Sequence, residues 1–351
     1  MRAASRWWTL GAGLEDVGTI LERYEIGTGC AVSPVASGLI HTTWYVDADR
    51  AYVLQRLHPK LASDGIANDY AAVTEHLARK RVRAPKLVRT REGAPLAQAG
   101  EVRWRLTTRV PGETVERVPD LETVEQAARA LGRFHAAIAD IEHDFESDHP
   151  LHRTGEHLDA LREASGDPRY AQVRPRIAAD LDEILSSLPE AMLPPLPTRV
   201  VHGDPKISNV MFEDGRATAL IDLDTCNRHT LLVDLGDAMR SWCRDGAEDE
   251  RQDLRLDRFE ALLRGYAAEG PPLSVAEVSA LPFAGRTIAL ELASRFARDV
   301  LEDHYFGWDA ERYSDRRSHN VARTRGMLHL AADMAMKAGE ARRLVGDAFD
   351  R

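Results

Sequence analysis

The chain has no apolar run approaching the roughly 18 to 20 residues needed to span a bilayer, which excludes a transmembrane helix. Met1 to Leu10 carries two Arg and two Trp but no apolar stretch or small-residue cleavage site, so it does not read as a secretory leader, and a cytoplasmic location is expected. Cysteine is scarce. Cys30, Cys226 and Cys243 are odd in number and match neither a disulfide framework nor a paired Cys-x-x-Cys zinc site, so free thiols are expected. No basic run is longer than Ala78-Arg-Lys-Arg-Val-Arg83, and the net charge is -10, which argues against a nucleic-acid partner. The thirteen His include no His-x-x-x-His or His-Glu-x-x-His pair, and no Gly-x-x-x-x-Gly-Lys-Ser/Thr is present, so neither a zinc hydrolase nor a Walker-type ATPase is indicated. The Trp7-Trp8 pair reads as packing rather than a stacking platform. There is no internal repeat and no low-complexity segment.

What is present suffices for two regions with a core each: 351 residues, 44% of them hydrophobic. Ala31-Val-Ser-Pro-Val35, Thr43 to Asp47 and Ala51 to Leu57 read as strands, with turns centred on Gly38 and on Asp47-Ala-Asp-Arg50. A helix is predicted over Tyr70 to Arg81, although Thr74 interrupts its apolar face, and strand character resumes at Leu87 to Arg89 and Val102 to Thr108. After Pro111-Gly112 the pattern turns helical: Thr123 to Ala139, Asp180 to Leu188, Phe259 to Ala268, Ile288 to Leu301 and Val321 to Ala338. The expected class is α+β, with a small β-rich N-terminal lobe over residues 1–110, a larger helical C-terminal lobe over residues 111–351, and the site in the cleft between them.

The most informative stretch is His202 to Thr225. Val210-Met-Phe212 and Ala217 to Ile221 are short apolar runs around Asp214-Gly215, a strong hairpin signal. If those two residues form the turn, Phe212 lies near Ala217, Val210 near Ala219 and Asn209 near Leu220. Asp222 then emerges one diagonal step from Asn209. Asp204 precedes Asn209 by five, the Asp-x-x-x-x-Asn spacing of a kinase catalytic loop, in which the first residue accepts the substrate hydroxyl proton and the second holds Mg²⁺. A few oxygen ligands at the open end of a hairpin suit Mg²⁺, which takes phosphate oxygens for the rest of its shell.

His202-Gly-Asp-Pro-Lys-Ile-Ser-Asn-Val-Met-Phe212 and Ala219-Leu-Ile-Asp-Leu-Asp-Thr225 resemble the signature of the aminoglycoside phosphotransferase and choline kinase-like branch of the protein-kinase-like fold. Tyr52 to Leu57, Val73 to Leu77, Val233 to Arg240 and Arg295 to Phe306 look most like its N-acetylhexosamine 1-kinases. The resemblance runs with gaps from about Gly38 to Arg325 and implies a bilobal, ATP- and Mg²⁺-dependent kinase for a small-molecule hydroxyl, with the anomeric hydroxyl of a hexose or N-acetylhexosamine as expected acceptor. Aminoglycosides and amino alcohols are the alternatives, and a catalytically silent nucleotide-binding protein is the rival from another class. Carried over by position, Asp204 is the catalytic base, and Asn209 and Asp222 are metal ligands. His202 fixes the loop, Asp234 hydrogen-bonds the loop backbone or caps its own helix, and Asp224 either touches the metal or closes the turn.

The departures lie in the nucleotide site. A kinase-like third strand offers a Lys to the phosphates, and Ala51-Tyr-Val-Leu-Gln-Arg-Leu57 has none. Gln55 and Arg56 face opposite ways, so only one can point into the cleft. The acidic partner on the following helix is one of Asn68, Asp69 and Glu75, of which Asp69 is assigned to the nucleotide site together with Thr107 and Arg109. For the acceptor, Arg295, Asp299 and Asp303 recur every four residues on one helical face next to Tyr305; Arg295, Asp299 and Tyr305 are the expected substrate contacts, with a solvated charge ladder as the alternative.

Overall fold

The computed structural model describes residues 14–27, 29–35, 41–147 and 152–349; the Trp7-Trp8 pair and the Gly38 turn lie outside them. Six strands form one antiparallel sheet: β1 (Ala31–Pro34), β2 (Thr42–Asp47), β3 (Ala51–Arg56), β4 (Leu87–Val88), β5 (Ala97–Ala99) and β6 (Val102–Thr108). Their order is β1-β2-β3-β6-β4, with β5 also on β6. Alternation sends Trp44, Val46, Tyr52, Leu54, Trp104 and Leu106 to one face, where they bury with Val17 and Ile20 of helix α1 (Leu14–Leu21) and with Tyr24.

The other face, carrying Gln55 and Arg105, turns towards α2 (Asp64–Arg79) and the rest of the chain. Helix α2 begins six residues before the predicted Tyr70. The hydroxyl of Ser63 accepts from the Ile66 N–H at 3.2 Å and caps it, a local signal outside the apolar period. Thr74, the polar interruption of its apolar stripe, is buried and donates to the Ala71 carbonyl at 3.2 Å.

The remainder is helical around a second, larger core. It comprises α3 (Leu121–Ile138), α4 (Thr154–Gly166), α5 (Ala178–Ala191), α6 (Leu231–Trp242), α7 (Leu256–Glu269), α8 (Val275–Glu302), α9 (Arg316–Met336) and α10 (Ala338–Phe349). The strands here are β7 (Arg199–Val201) paired with β10 (Asn227–His229), and the hairpin of β8 (Val210–Glu213) with β9 (Arg216–Leu220). Helix α8 is the central member and packs against α4, α5, α6 and α9. It starts thirteen residues before the predicted Ile288 because Ser274 and Glu277 form a reciprocal capping box. It continues through Pro282 because Leu281, Ala284 and Ile288 around that residue are buried, which offsets the lost backbone hydrogen bond. No sequence signal anticipates α4, whose inward side is only Leu158, Leu161 and Ala164.

One buried ion pair, anchored on α8, reaches the back of the site. His152 is bonded through Nδ1 to Glu291 Oε1 of α8 at 2.9 Å and through Nε2 to the Gly203 carbonyl at 3.0 Å. Burial alone would lower the His152 pKa, but the Glu291 carboxylate raises it; burial would raise Glu291, and His152 brings it below the ordinary value. A raised His pKa stabilises fully below about 6.5 and is lost as pH rises through the folded-state value. A lowered Glu pKa stabilises above about 4.5 and is lost as pH falls through its folded-state value. The pair therefore has its full effect between those two pH values. Glu291→Gln should cost about 3–5 kcal/mol near pH 5.5, the usual range for breaking a buried pair, and less once pH exceeds the raised His152 pKa. Urea unfolding of both proteins at pH 5.5 and pH 9 checks this; a pH-independent difference would show that His152 is neutral in the fold.

Candidate active site

The site is assembled from the segment between β7 and β10, and its shape follows from the hairpin. Asp214 and Gly215 have φ of 51° and 75°, the turn that matches strand twist, so the predicted two-residue connection is present and Phe212 pairs with Ala217. The predicted register fails one step further on. A bulge at Thr218 leaves Met211 opposite Ala219 and Val210 opposite Leu220, because the chain between Ala217 and Ala219 has one residue more than its partner. The Ile221 N–H consequently donates to the Asn209 carbonyl at 2.9 Å, so Ile221 rather than Leu220 stands opposite Asn209 and Asp222 follows one residue later. Asp222 itself is left-handed, φ 64° and ψ 53°, a conformation that Asp tolerates and that is concentrated at functional sites.

The loop carrying Asp204 is fixed by backbone hydrogen bonds to buried side chains. Asp234 of α6 accepts from the N–H groups of His202 at 2.7 Å and Gly203 at 2.8 Å, and its Oδ2 also meets His135 Nε2 at 2.8 Å. Burial would push the Asp234 carboxyl up, but His135, His202 and the Gly203 N–H hold it below the ordinary value. The cap of α6 is Thr230, not Asp234, so Asp234 serves the loop. His202 donates from Nε2 to the Ile221 carbonyl at 3.0 Å and accepts at Nδ1 from the Asp204 N–H at 3.2 Å, which fixes its neutral tautomer and joins the loop to the strand before Asp222. Gly203, at φ 87°, has to be glycine: a Cβ there would stand 2.6 Å from the Thr225 carbonyl oxygen.

These contacts bring Asp204, Asn209 and Asp222 together. Asn209 donates from Nδ2 to the Asp204 carbonyl at 2.8 Å, which leaves its Oδ1 open. The Asp204 carboxylate is 26% exposed and meets Lys206 Nζ at 2.9 Å; burial would raise it, and Lys206 lowers it. Lys206 is not part of the Asp-x-x-x-x-Asn spacing, and the signal for it in the sequence is a cation two residues after the expected base. Asp222 is half-buried and, among the described residues, accepts no hydrogen bond from any of them. Burial, followed by the nearby charges of Asp224 and Asp204, pushes its carboxyl up. No three His, Cys, Asp or Glu side chains of the described residues form a ready-made metal cage. An open amide oxygen and a carboxylate raised by acidic neighbours nevertheless fit a hard divalent cation that shares phosphate oxygens.

Several other expected residues serve different ends. Asp224 is no free metal ligand: Arg105 of β6 clamps it with both terminal nitrogens, at 2.8 Å for Nη2 to Oδ2, and His41 Nε2 lies 3.5 Å away. Burial would raise its carboxyl, and Arg105 and His41 lower it strongly. The Asp69 carboxylate is taken up elsewhere: it accepts from His143 at 2.8 Å and from the N–H groups of Glu146 and Ser147 at 2.9 and 2.8 Å, so it secures the segment after α3. Gln55 is the β3 residue on the cleft side, bonded to Arg105, and Arg56 faces away by alternation. Thr107 is buried two residues beyond Arg105, and the Arg109 guanidinium lies over the Tyr45 ring at 3.8 Å.

In the late block, Asp299 closes the end of α8. It accepts from the N–H groups of His304, Tyr305 and Phe306 and from Asn320 Nδ2, all at 2.8–2.9 Å, so its carboxylate is already saturated. Asp303 faces Arg316 and Arg317 at 3.5 and 3.3 Å. The predicted sugar-binding face is thus a helix terminus and an ion-pair cluster. Arg295 lies over the Phe306 ring at 5.7 Å, and Tyr305 is 48% exposed. A cavity of about 450 Å³ bordered by Phe145, Ser147, Asn227 and His229 is not lined by Asp204, Asn209 or Asp222.

Residues 31–272 match the family described as "Phosphotransferase enzyme family" (APH). Among curated proteins, the chain is 28% identical to a homoserine kinase of Rhodospirillum rubrum over 280 residues, 79% of this chain and 83% of that protein. It is 29% identical to a homoserine kinase of Azorhizobium caulinodans over 272 residues, 77% and 81% of the two chains. Among solved structures, a microcompartment-associated aminopropanol kinase superposes with a TM-score of 0.64 at 17% identity, covering 93% of this chain and 99% of that one. Amicoumacin kinase, solved with AMP-PNP, Ca²⁺ and Ami, gives 0.62 at 15% identity, covering 96% and 94%. At such identities the structures establish the fold, which is the expected kinase-like α+β arrangement of a β-sheet N-terminal region and a helical C-terminal region. The relatives found are homoserine kinases, so the expected likeness to N-acetylhexosamine 1-kinases gives way to the family-level one.

Proposed function

From the premise that the chain belongs to the phosphotransferase enzyme (APH) family and acts on a hydroxyl acceptor, we propose that it uses ATP with Mg²⁺ and that Asp204 is its catalytic base. The convergence of Asp204, Asn209 and Asp222 on a loop fixed by Asp234 carries this reading. Residues 1–110 then serve as the nucleotide lobe and residues 111–351 as the catalytic and acceptor lobe.

Asp204 orients the acceptor hydroxyl and takes its proton as that oxygen bonds to the γ-phosphorus and the bond to the bridging oxygen of ADP breaks. Lys206, 2.9 Å from the base, sets a positive charge beside the transferring group. Asn209 and Asp222 would hold Mg²⁺, which when bound offsets the charge of the phosphates. The Asp234 and His202 contacts keep the loop in place, so little reorganisation is needed during transfer.

The acceptor proposed is a small hydroxyl compound that also carries an ammonium group. The names of the relatives support this, since homoserine and aminopropanol share that chemistry. So does Asp237, one turn beyond Asp234 on α6: its Oδ1 meets Arg240, its Oδ2 is buried without a hydrogen-bond partner among the described residues, and its charge is felt at Lys206. Incubation with γ-labelled ATP and a panel of amino alcohols, hydroxy amino acids, aminoglycosides and hexoses, read by phosphorus NMR, tests the proposal. The expected product is a phosphomonoester of an amino alcohol or hydroxy amino acid. Exclusive formation of a sugar 1-phosphate would reject this acceptor class in favour of a hexose, and no transfer to any acceptor would count against the kinase reading.

A further inference from the structure

The third strand lacks the Lys with which kinase-like sheets hold nucleotide phosphates, yet a buried cation stands next to the vacant place. Arg105 on β6 is the direct ladder partner of Gln55 on β3 and is 3% exposed. Its Nε and Nη2 donate to Gln55 Oε1 at 3.2 and 2.8 Å. Its Nη2 and Nη1 donate to the two oxygens of Asp224, the former at 2.8 Å, and its plane lies 4.5 Å from the centre of the Tyr70 ring of α2. Four hydrogen bonds occupy most of the five N–H groups of a guanidinium, so Arg105 is a fixed clamp rather than a mobile phosphate ligand.

We propose that Arg105 is the positioning cation of the nucleotide site, joining the N-terminal sheet to the metal-bearing turn where a β3 lysine would otherwise act. Asp224 follows Asp222 within the single turn Leu223–Thr225, so the clamp fixes the end of the short segment whose start is the left-handed Asp222. The other side of that segment is held by His202 on the Ile221 carbonyl and by Thr225 Oγ1 on the His202 carbonyl at 2.8 Å. Arg105 therefore relates the height of the sheet above the cleft to the direction of the Asp222 carboxylate. Asp224 thereby acts on the metal through position, and Asn209 and Asp222 are left as the protein ligands.

This inference rests on the reading of the site as a Mg·ATP site. Its test uses Arg105→Gln and Asp224→Asn, near-isosteric neutral variants, with Mg·ATP binding measured by calorimetry and turnover followed against Mg²⁺, ATP and acceptor. Each variant is expected to weaken Mg·ATP binding and raise the Mg²⁺ requirement about tenfold or more, with the acceptor KM unchanged and turnover recovered at high Mg²⁺. The double variant should be no worse than either single one, since the two residues act as a unit, and Arg105→Lys should fail to restore binding because it lacks the two-pronged geometry. Unchanged Mg·ATP affinity and Mg²⁺ requirement in folded Arg105→Gln, or losses that add in the double variant, would overturn the proposal. Thermal melting establishes folding; if Arg105→Gln does not fold, Asp224→Asn alone decides by the same split between nucleotide and acceptor constants. Failure of the unmodified protein to bind Mg·ATP would overturn the underlying site reading as well, whereas binding that both variants retain overturns this inference alone.

Discussion

Asp204→Asn is expected to lower turnover by about a thousandfold, within the range that general acid–base groups contribute, while Mg·ATP binding changes by no more than about threefold. The substitution keeps size and hydrogen-bonding capacity, and the loop is fixed through groups it leaves untouched: the Asp234 bonds to the His202 and Gly203 N–H groups, the Asn209 bond to the residue 204 carbonyl, and Trp242 Nε1 on the Pro205 carbonyl at 2.9 Å. What is lost is the acceptor of the hydroxyl proton. Single-turnover rates and calorimetric titration, taken together, check the split. A variant that turns over at the original rate would remove Asp204 from the base role, and one that loses nucleotide binding equally would mean that Asp204 holds the phosphates or the metal instead.

Asp222→Ala should be still more damaging to nucleotide binding, with a loss of Mg·ATP affinity of about a hundredfold or more, since even partners behind a metal ligand contribute ten- to a hundredfold. Asp222 is the one carboxylate of the site that has neither a cationic clamp nor a hydrogen-bonded partner among the described residues; Asp204 has Lys206, and Asp224 has Arg105. Its carboxyl is held up by burial and by those two acids, so a cation is the group that relieves it. Ala tolerates the left-handed conformation of this position less well than Asp, so a small loss of stability accompanies the substitution. The single strained residue should not unfold the protein, and thermal melting should show a modestly lowered midpoint with the fold retained. Calorimetry with ATP in the presence and absence of Mg²⁺ separates the effects: the metal-dependent part of the affinity should disappear. Retention of that part would assign the metal to other residues.

The two effects differ because the two acids, though neighbours, face different demands. Asp204 is positioned by a neutral imidazole and a lysine and stays partly open to solvent, which suits a group that must receive a proton from an incoming molecule. Asp222 lies beside two other acids, whose effect with burial outweighs that of Lys206 and His41, which suits a group that waits for a cation. The hydrogen-bonded path from the His202 ring to the Ile221 carbonyl links the two, so a change in either register would misplace both.

Much of this was legible beforehand for a physical reason. Hairpin turns, caps and amphipathic periods are local, and so are the spacings within His202 to Thr225: the Asp214-Gly215 turn, the strand at Val102 to Thr108 and the helix at Leu121–Ile138 all follow from residues a few positions apart. The candidate base and the two metal ligands lie within one such stretch; the hairpin brings the Asn209 and Asp222 ends together, while Asp234 of α6 fixes the loop that carries Asp204. Local pattern could not supply the bulge at Thr218, because one extra residue on β9 leaves the apolar alternation of the segment intact while shifting every later pair by one. Nor could it foresee that a charged residue was already occupied. Asp69, Asp224 and Asp299 read in sequence as nucleotide, metal and substrate contacts, and each is engaged by groups that motif spacing does not reveal: Ser147 for Asp69, Arg105 for Asp224, and for Asp299 the N–H groups just past its own helix together with Asn320. The sequence by itself thus determined the kinase-like order of elements and the reacting segment, both written in short-range pattern. Only the tertiary structure decided which carboxylates remain open to ligand, because a buried charge takes its partner from whatever the fold brings within about 3 Å, and sequence separation places no limit on that choice.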